Sequence, residues 1–313
     1  MTNLSEFTFL SSDGKTQLYG RLWEPEGVAV RAVLQMCHGV AEHIARYDGF
    51  ARALNEQGIV VAGHDHLGHG KSLPEGGTPV YFGQGSTWNT VVDDIYILHQ
   101  RLKQRYPDVP LCIMGHSMGS FLTRTYLIRY PGTVKAAVIM GTGWQPQAAI
   151  TGGLALANAI AAVSGENATS ELVTELAFGS YNKLFAPNRT KVDWLSADES
   201  NVDDYIADPL CGADATVGLF RQMLHGIRLN QRQSHLRQMD REMPVLFVAG
   251  DKDPVGSCGK GVRQTYDAFR AAGMRDCTLK LYPGLRHEIL NEKAYTADIT
   301  KNIEAWLLSR LEK

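Results

Sequence analysis

The chain has 313 residues, 44% of them hydrophobic, which is enough to bury a sizeable core in one large α/β domain or in a core with a small insertion. Its 31 Lys+Arg stand against 33 Asp+Glu, a formal charge of −2, so no charge excess points to a polyanionic partner and nucleic acid is not expected. The five cysteines (Cys37, Cys112, Cys211, Cys258, Cys277) are odd in number and form no CxxC pair, which argues against a disulfide framework or a zinc cluster.

Reduced thiols fit a cytoplasmic location. Met1 to Leu10 has no basic start followed by an apolar stretch, so no secretory signal is expected. The longest apolar run, Gly152 to Val163, is shorter than the roughly 20 residues that span a bilayer. A soluble protein is expected, with peripheral membrane contact left open and the oligomeric state undetermined.

Phe7–Leu10 and Gln17–Trp23 flank Ser12-Asp13-Gly14-Lys15 and read as a hairpin. Ala32–Cys37 reads as a buried strand, Phe50–Gln57 as a helix ended by Gly58, and Ile59–Ala62 as a second buried strand. In Trp88–Gln104, Val91, Ile95, Leu98 and Leu102 recur at helical spacing. Then follow a strand over Leu111–Met114, a helix over Ser117–Arg129 and a strand over Ala136–Met140. After a long interval come the strand Val245–Ala249, the helix Val262–Ala272, the strand Leu279–Tyr282, and a last helix with Ile299, Ile303, Trp306 and Leu307 on one face.

Apolar runs alternating with amphipathic helices specify a mostly parallel sheet covered on both faces. The alternation stops between Trp144 and Gln233, which reads as short helices and loops lying on top of the sheet. The predicted organisation is a core of residues 1–143 and 234–313 with a helical cap of residues 144–233. The face Leu156, Ile160 and Val163 is a candidate wall of an apolar pocket, or a packing surface between cap and core.

Gly115-His116-Ser117-Met118-Gly119 matches G-x-S-x-G directly after a buried strand and before a helix, the context of a nucleophile elbow. Ser117 is the candidate nucleophile. On α/β-hydrolase scaffolds the acid and then the base follow the serine in chain order. The strand Val245–Ala249 runs into Gly250-Asp251-Lys252-Asp253-Pro254. Of its two carboxylates Asp253 is preferred, because Pro254 stiffens its loop while Asp251 sits where a turn-forming Asp caps its own backbone. Among the ten histidines His287 alone follows Asp253, just past the final strand, and it is the candidate base. The oxyanion donors expected are the backbone N–H groups of Val40, after the strand ending at Cys37, and of Met118. His38 reads as a prop for that loop. His64, His66 and His69 read as part of a glycine-punctuated turn, with no metal-ligand partner at a recognisable spacing.

Together these motifs resemble the monoglyceride lipase and lysophospholipase group of the α/β-hydrolase superfamily, also classed with serine aminopeptidases. His38-Gly-Val-Ala-Glu-His-Ile-Ala-Arg-Tyr47 resembles its HGxxEHxxRY segment, and Asp65–Ser72 its DxxGHGxS segment. Gly115–Gly119 resembles its GHSMGG, with Ser120 in place of the last glycine. Gly250–Pro254 and His287 resemble its acid and base loops. The resemblance implies the α/β-hydrolase fold and hydrolysis of a monoacylglycerol, lysophospholipid or simple acyl ester, a small-molecule or lipid substrate, without a cofactor. Two other readings stay open from sequence: an aminopeptidase using cap acids such as Glu166, Glu171, Glu175, Asp198 or Glu199 to hold an amine, and a noncatalytic ligand-binding protein.

Overall fold

A computed structural model describes residues Met1 to Leu311. Eight strands form one sheet in the order β1-β2-β4-β3-β5-β6-β7-β8. They are β1 (Thr2–Leu10), β2 (Gln17–Pro25), β3 (Ala32–Cys37), β4 (Ile59–His64), β5 (Leu111–His116), β6 (Ala137–Met140), β7 (Val245–Gly250) and β8 (Cys277–Tyr282). β2 runs antiparallel to β1 and β4; every other pairing is parallel. The β1–β2 hairpin is closed by Asp13, whose carboxylate accepts the Lys15 and Thr16 N–H groups, each at 2.8 Å.

β3 to β7 are buried on both faces, and their side chains alternate between two cores. Ala32, Leu34 and Met36 of β3 face the core under α1 (Asp48–Asn55) and the C-terminal helix. Val33 and Cys37 face the other core, under α2 (Trp88–Arg105) and α3 (Met118–Arg129). Gly58, at φ 78°, supplies the left-handed residue that ends α1 and turns the chain into β4. α2 starts on Thr87, whose hydroxyl accepts the Thr90 N–H.

No strand occurs between β6 and β7. This stretch carries α4 (Gln147–Ser164), α5 (Glu171–Thr174), α6 (Ser180–Lys183), α7 (Glu199–Ala207), α8 (Val217–Asn230) and α9 (Gln233–Leu236), and α10 (Lys260–Ala271) and α11 (Thr296–Leu311) follow β7 and β8. Ile150, Leu154, Ala157, Phe220 and Ile227 of the insertion join the same core as α2 and α3, so the insertion has no separate interior. Arg124 of α3 reaches both of its stems. The guanidinium donates to Gly143 O at 3.0 Å and to Asn230 O at 3.3 Å. Burial without a carboxylate partner pushes its pKa down to about 9.

α4 is longer than its apolar run suggested. Over 18 residues its mean hydropathy is 1.3, long and apolar enough by length and composition to cross a membrane. Yet only Ile150, Leu154 and Ala157 are buried. A helix that is apolar all round does not reveal from its periodicity which face turns inward. Here Ile150, Gly153, Leu156 and Ala157 turn toward the space above Ser117, Ile160 packs against the core, and Val163 is 88% exposed. Of the face expected to line a pocket, Leu156 does so.

Candidate active site

β5 delivers Ser117 to the top of the sheet in a conformation other residues avoid, φ 55° and ψ −122°. The two glycines of the motif make that turn possible. A Cβ on Gly115 would overlap the Gly119 carbonyl and the Thr123 hydroxyl, and one on Gly119 would overlap the Cys37 carbonyl. Strand, elbow and helix are thus pressed together, and α3 aims its first N–H groups at the space beside Ser117.

Past β7, Asp253 is wholly buried and accepts from the Val255 N–H at 2.9 Å and from His287 Nδ1 at 3.0 Å through the same oxygen, Oδ1. Its Oδ2 has no partner among the described residues. Asp251 points elsewhere: its Oδ1 accepts the Gly284 N–H at 2.8 Å and closes the neighbouring loop. The structure therefore joins His287 to Asp253 and not to Asp251. Gly141 keeps the floor between the two loops open, since a Cβ there would lie 3.1 Å from both the His116 and His287 rings. Among the described residues the Ser117 hydroxyl makes no hydrogen bond to His287, whose Nδ1 is held by Asp253.

The backbone N–H groups of Val40 and Met118 donate to no other group among the described residues, and both residues border the cavity that Ser117 enters. Gly39, between His38 and Val40, is tight against Ser117: a Cβ there would come 3.0 Å from that of the serine.

Beneath these groups lies a buried charge network that sequence reasoning left unassigned. Glu42 Oε1 accepts from Gly39 N at 2.6 Å, from the Tyr47 hydroxyl at 2.9 Å and from His116 Nδ1 at 3.3 Å. Arg46 bonds Glu42 at 2.9 Å and forks onto Glu288 at 2.6 and 2.7 Å. Burial alone would favour the neutral forms of Glu42, His116 and Glu288. For Glu42 the His116 and Arg46 charges outweigh it and hold the carboxyl well below its usual range. The Glu42 carboxylate in turn raises His116, and Arg46 lowers Glu288. His116 Nε2 lies 3.3 Å from the His287 carbonyl, which can only accept, so that ring nitrogen is the donor. Glu42, Arg46 and Tyr47 all lie in the His38–Tyr47 motif, so the signal was present; what it lacked was Glu288, 242 residues beyond Arg46.

His38 props its loop, with Nδ1 on Gly39 O at 2.7 Å and Nε2 accepting the His66 N–H at 2.9 Å. The rings of His38 and His66 pack 4.2 Å apart and that of His64 meets Phe9 edge-on at 5.2 Å. Neither ring nitrogen of His64 or His66 has a partner among the described residues, and burial lowers both pKa values, that of His64 to about 3. These are neutral packing groups.

Above Ser117 a cavity of about 440 Å³ runs under the insertion. Ile150, Leu156, Phe220 and Leu224 are among its walls, and no charged residue among the described residues lines it. Its rim toward His287 is aromatic: the Trp194 ring lies 5.1 Å from that of His287, and Tyr181 meets Trp194 at 5.2 Å.

Residues 28–294 match the family model described as serine aminopeptidase, S33. The chain is 31% identical to the monoacylglycerol lipase of Mycolicibacterium smegmatis over 98% of each chain. It is 28% identical to the monoglyceride lipase of Mus musculus, covering 96% of this chain and 90% of the relative. Among solved structures, a thermostable carboxyl esterase from Bacillus coagulans, in complex with glycerol, superposes with TM-score 0.92 at 26% identity, covering 99% of this chain and all of the other. A lipase in an open form superposes with TM-score 0.88 at 26% identity over 99% of this chain and all of the other. The sheet order, the elbow and these likenesses agree: the chain has the α/β-hydrolase fold and belongs to the serine aminopeptidase S33 family of hydrolases.

Proposed function

We propose that this chain hydrolyses carboxylic esters of a single apolar acyl chain, monoacylglycerols foremost, through an acyl-enzyme on Ser117. The observation that carries the reading is a serine at a strained elbow opening into an uncharged apolar cavity, beside a histidine bonded to a buried aspartate. Asp253 holds His287 with Nδ1 protonated, leaving Nε2 as the base. His287 takes the Ser117 proton as Oγ bonds to the ester carbonyl carbon. The negative charge that forms on the carbonyl oxygen is met by the N–H groups of Val40 and Met118. The C–O bond to the alcohol then breaks, and His287 returns the proton to the departing oxygen. Water, deprotonated by His287, attacks the acyl-enzyme; the acid leaves and Ser117 regains its proton.

The core, residues 1–143 and 234–313, supplies the reacting groups, and the cap, residues 144–233, supplies the acyl pocket. The lining disfavours two competitors. An aminopeptidase needs a carboxylate facing a substrate ammonium, and a lysophospholipid brings a phosphate that seeks a cation; among the described residues no charged side chain lines the cavity. Among the family's relatives, those in Mycolicibacterium smegmatis and Mus musculus are monoacylglycerol lipases by name. Exposed apolar residues on the cap, Val163, Leu172, Leu176 and Leu184, suit contact with a lipid surface that delivers such a substrate.

The test is a fluorophosphonate probe, which labels an activated serine, together with turnover of monoacylglycerol, lysophospholipid, p-nitrophenyl esters and an aminoacyl-nitroanilide. Labelling lost in Ser117→Ala, with turnover of monoacylglycerol and the simple esters, is expected. Absence of labelling in the native protein would leave a noncatalytic binding protein, and preference for the nitroanilide would establish the aminopeptidase.

A further inference from the structure

Asp208 ends α7, and Cys211 lies one turn beyond it, its N–H donating to the Asp208 carbonyl at 3.0 Å. Facing them from the core is His43, in the loop that follows β3 and carries Val40. His43 Nε2 lies 2.8 Å from Asp208 Oδ2. The ring nitrogen, the carboxylate oxygen and the Cys211 sulfur all fall within 4.8 Å of one another. Among the described residues no other group of three His, Cys, Asp or Glu side chains converges in this way. No local spacing announces it, because His43 and Asp208 stand 165 residues apart.

An ion pair accounts for His43 and Asp208 but not for the thiol brought beside them. The surroundings hold all three in place. Asp208 Oδ1 is committed to the Leu210 N–H at 2.9 Å, which leaves Oδ2 to the cluster. Gly212, at φ 75°, turns the chain so that its N–H donates to the Ala41 carbonyl at 3.0 Å, and the Tyr205 hydroxyl donates to the same oxygen at 3.0 Å. On the other side Asp65 accepts the Ile44 N–H at 2.8 Å, directly after His43. Outer contacts of this kind orient the ligands of a metal. Cys211 is in no disulfide, and it and Asp208 are only half-buried, so an ion has a way in.

Imidazole, thiolate and carboxylate make a mixed N, S, O set with two negative charges. That set suits Zn²⁺ and not Mg²⁺ or Ca²⁺, whose ligands are oxygens. Tetrahedral bonds of about 2.0–2.3 Å place ligand atoms roughly 3.3–3.8 Å apart, so an ion would open the His43–Asp208 pair slightly and draw the sulfur in. Arg46, the cation nearest this chemistry, is already engaged by Glu42 and Glu288.

We propose that His43, Asp208 and Cys211 form a site for a zinc-class divalent cation, which clamps the insertion to the core loop behind Val40. The ion takes the lone pair of His43 Nε2, with the ring proton on Nδ1, and Asp208 binds as its carboxylate. The Cys211 thiol releases its proton to water as the sulfur–metal bond forms. Water fills the fourth position. The clamp stands apart from the ester chemistry and does not depend on it.

Co²⁺ is the probe, because a thiolate bound to cobalt gives a near-ultraviolet charge-transfer band that Zn²⁺ abolishes on displacing it. Titration of the full chain, reduced and stripped of metal, should give one Co²⁺ per chain. The band should vanish in Cys211→Ser, and Asp208→Asn should weaken binding at least about tenfold. Cys258→Ser, which removes an exposed thiol outside the cluster, should keep it. Zn²⁺ at about a hundred times its Kd should raise the Tm of the native protein and of Cys258→Ser by about 3–6 °C, and leave that of Cys211→Ser unchanged. A native chain without the cobalt band overturns the site, whatever the variants do. So does a band that persists in Cys211→Ser, or one lost in Cys258→Ser, which would put the metal on another thiol. An unchanged native Tm with the band present overturns the clamp.

Discussion

Glu42 accepts the backbone N–H of Gly39 at 2.6 Å, and so one buried carboxylate sets the position of the loop that carries Val40. Of its other partners, Arg46 and His116 extend that control to the Ser117 elbow and, through Glu288, to the loop bearing His287. Three loops from distant parts of the chain therefore share one electrostatic anchor.

Glu42→Gln keeps the shape of this anchor and removes its charge. Arg46 and His116 then lose a buried counter-charge, at a cost of about 3–5 kcal/mol in stability. Displacing the loop that carries Val40, a proposed oxyanion donor, should lower kcat on the order of 10- to 100-fold with little change in KM. Unfolding curves and steady-state kinetics check both numbers. An unchanged kcat in a destabilised protein would confine Glu42 to holding the fold.

The two carboxylates of the loop after β7 should separate cleanly. Asp253 is wholly buried and bonded to His287, whereas Asp251 caps a neighbouring turn through Gly284. Asp253→Asn should lose on the order of 10³-fold or more in kcat, because members of a triad act as a unit. Asp251→Asn should lose far less. Assays of both variants on one p-nitrophenyl ester decide it, and the reverse ranking would reassign the acid.

Acyl selectivity should reside in Leu156 and not in Ile160. Leu156 lines the cavity, while Ile160 packs the cap onto the core. Leu156→Trp fills the pocket and denies each distal methylene its apolar wall, worth up to about 0.8 kcal/mol apiece. Dodecanoyl esters should therefore lose kcat/KM, octanoyl esters less, and acetyl esters hardly at all. Ile160→Asn should lower stability by roughly 1–3 kcal/mol and depress all three together. A uniform loss in Leu156→Trp would remove it from the pocket wall.

Buried histidines should make the fold acid-sensitive. Burial lowers His64 to about 3, and His69 and His99 to about 4, from an ordinary 6.5. With folded values below unfolded ones, the unfolded chain binds more protons between about pH 6.5 and 4. The stabilisation is complete above 6.5 and is lost as pH falls toward the folded values, at up to about 1.4 kcal/mol per pH unit for each group. Asp94, which burial raises to about 6, works in the opposite sense, as do the raised Asp65, His116 and Glu304, against the six lowered histidines His38, His64, His66, His69, His99 and His225. Thermal unfolding at pH 7, 6 and 5 should show a falling Tm, and His64→Leu should flatten the slope. A slope identical to the native one would show that His64 does not titrate on unfolding.

Much of this was written in local patterns. Period-two and fully apolar runs located the strands of the parallel sheet, because burial on both faces leaves no room for polar residues. The hydroxyl at the elbow was legible because a turn too tight for side chains on either flank requires glycine at 115 and 119, and the order serine, aspartate, histidine followed from strand topology.

The tertiary structure alone decided the rest. Pro254 and turn chemistry favoured Asp253 over Asp251 in the sequence, but the contact between Asp253 and His287 exists only once two distant loops converge. The inward face of α4 could not be read because the helix is apolar all round, so that only contact with α8 and the core selects it. The anchor under the Val40 loop needed Glu288 brought 242 residues back to Arg46, and the aromatic rim needed Trp194 folded onto His287. Periodicity reports whether a residue is buried; it carries no information on which distant partner will compensate a buried charge or leave a donor unpaired, because that is set when separate loops converge at the end of the sheet.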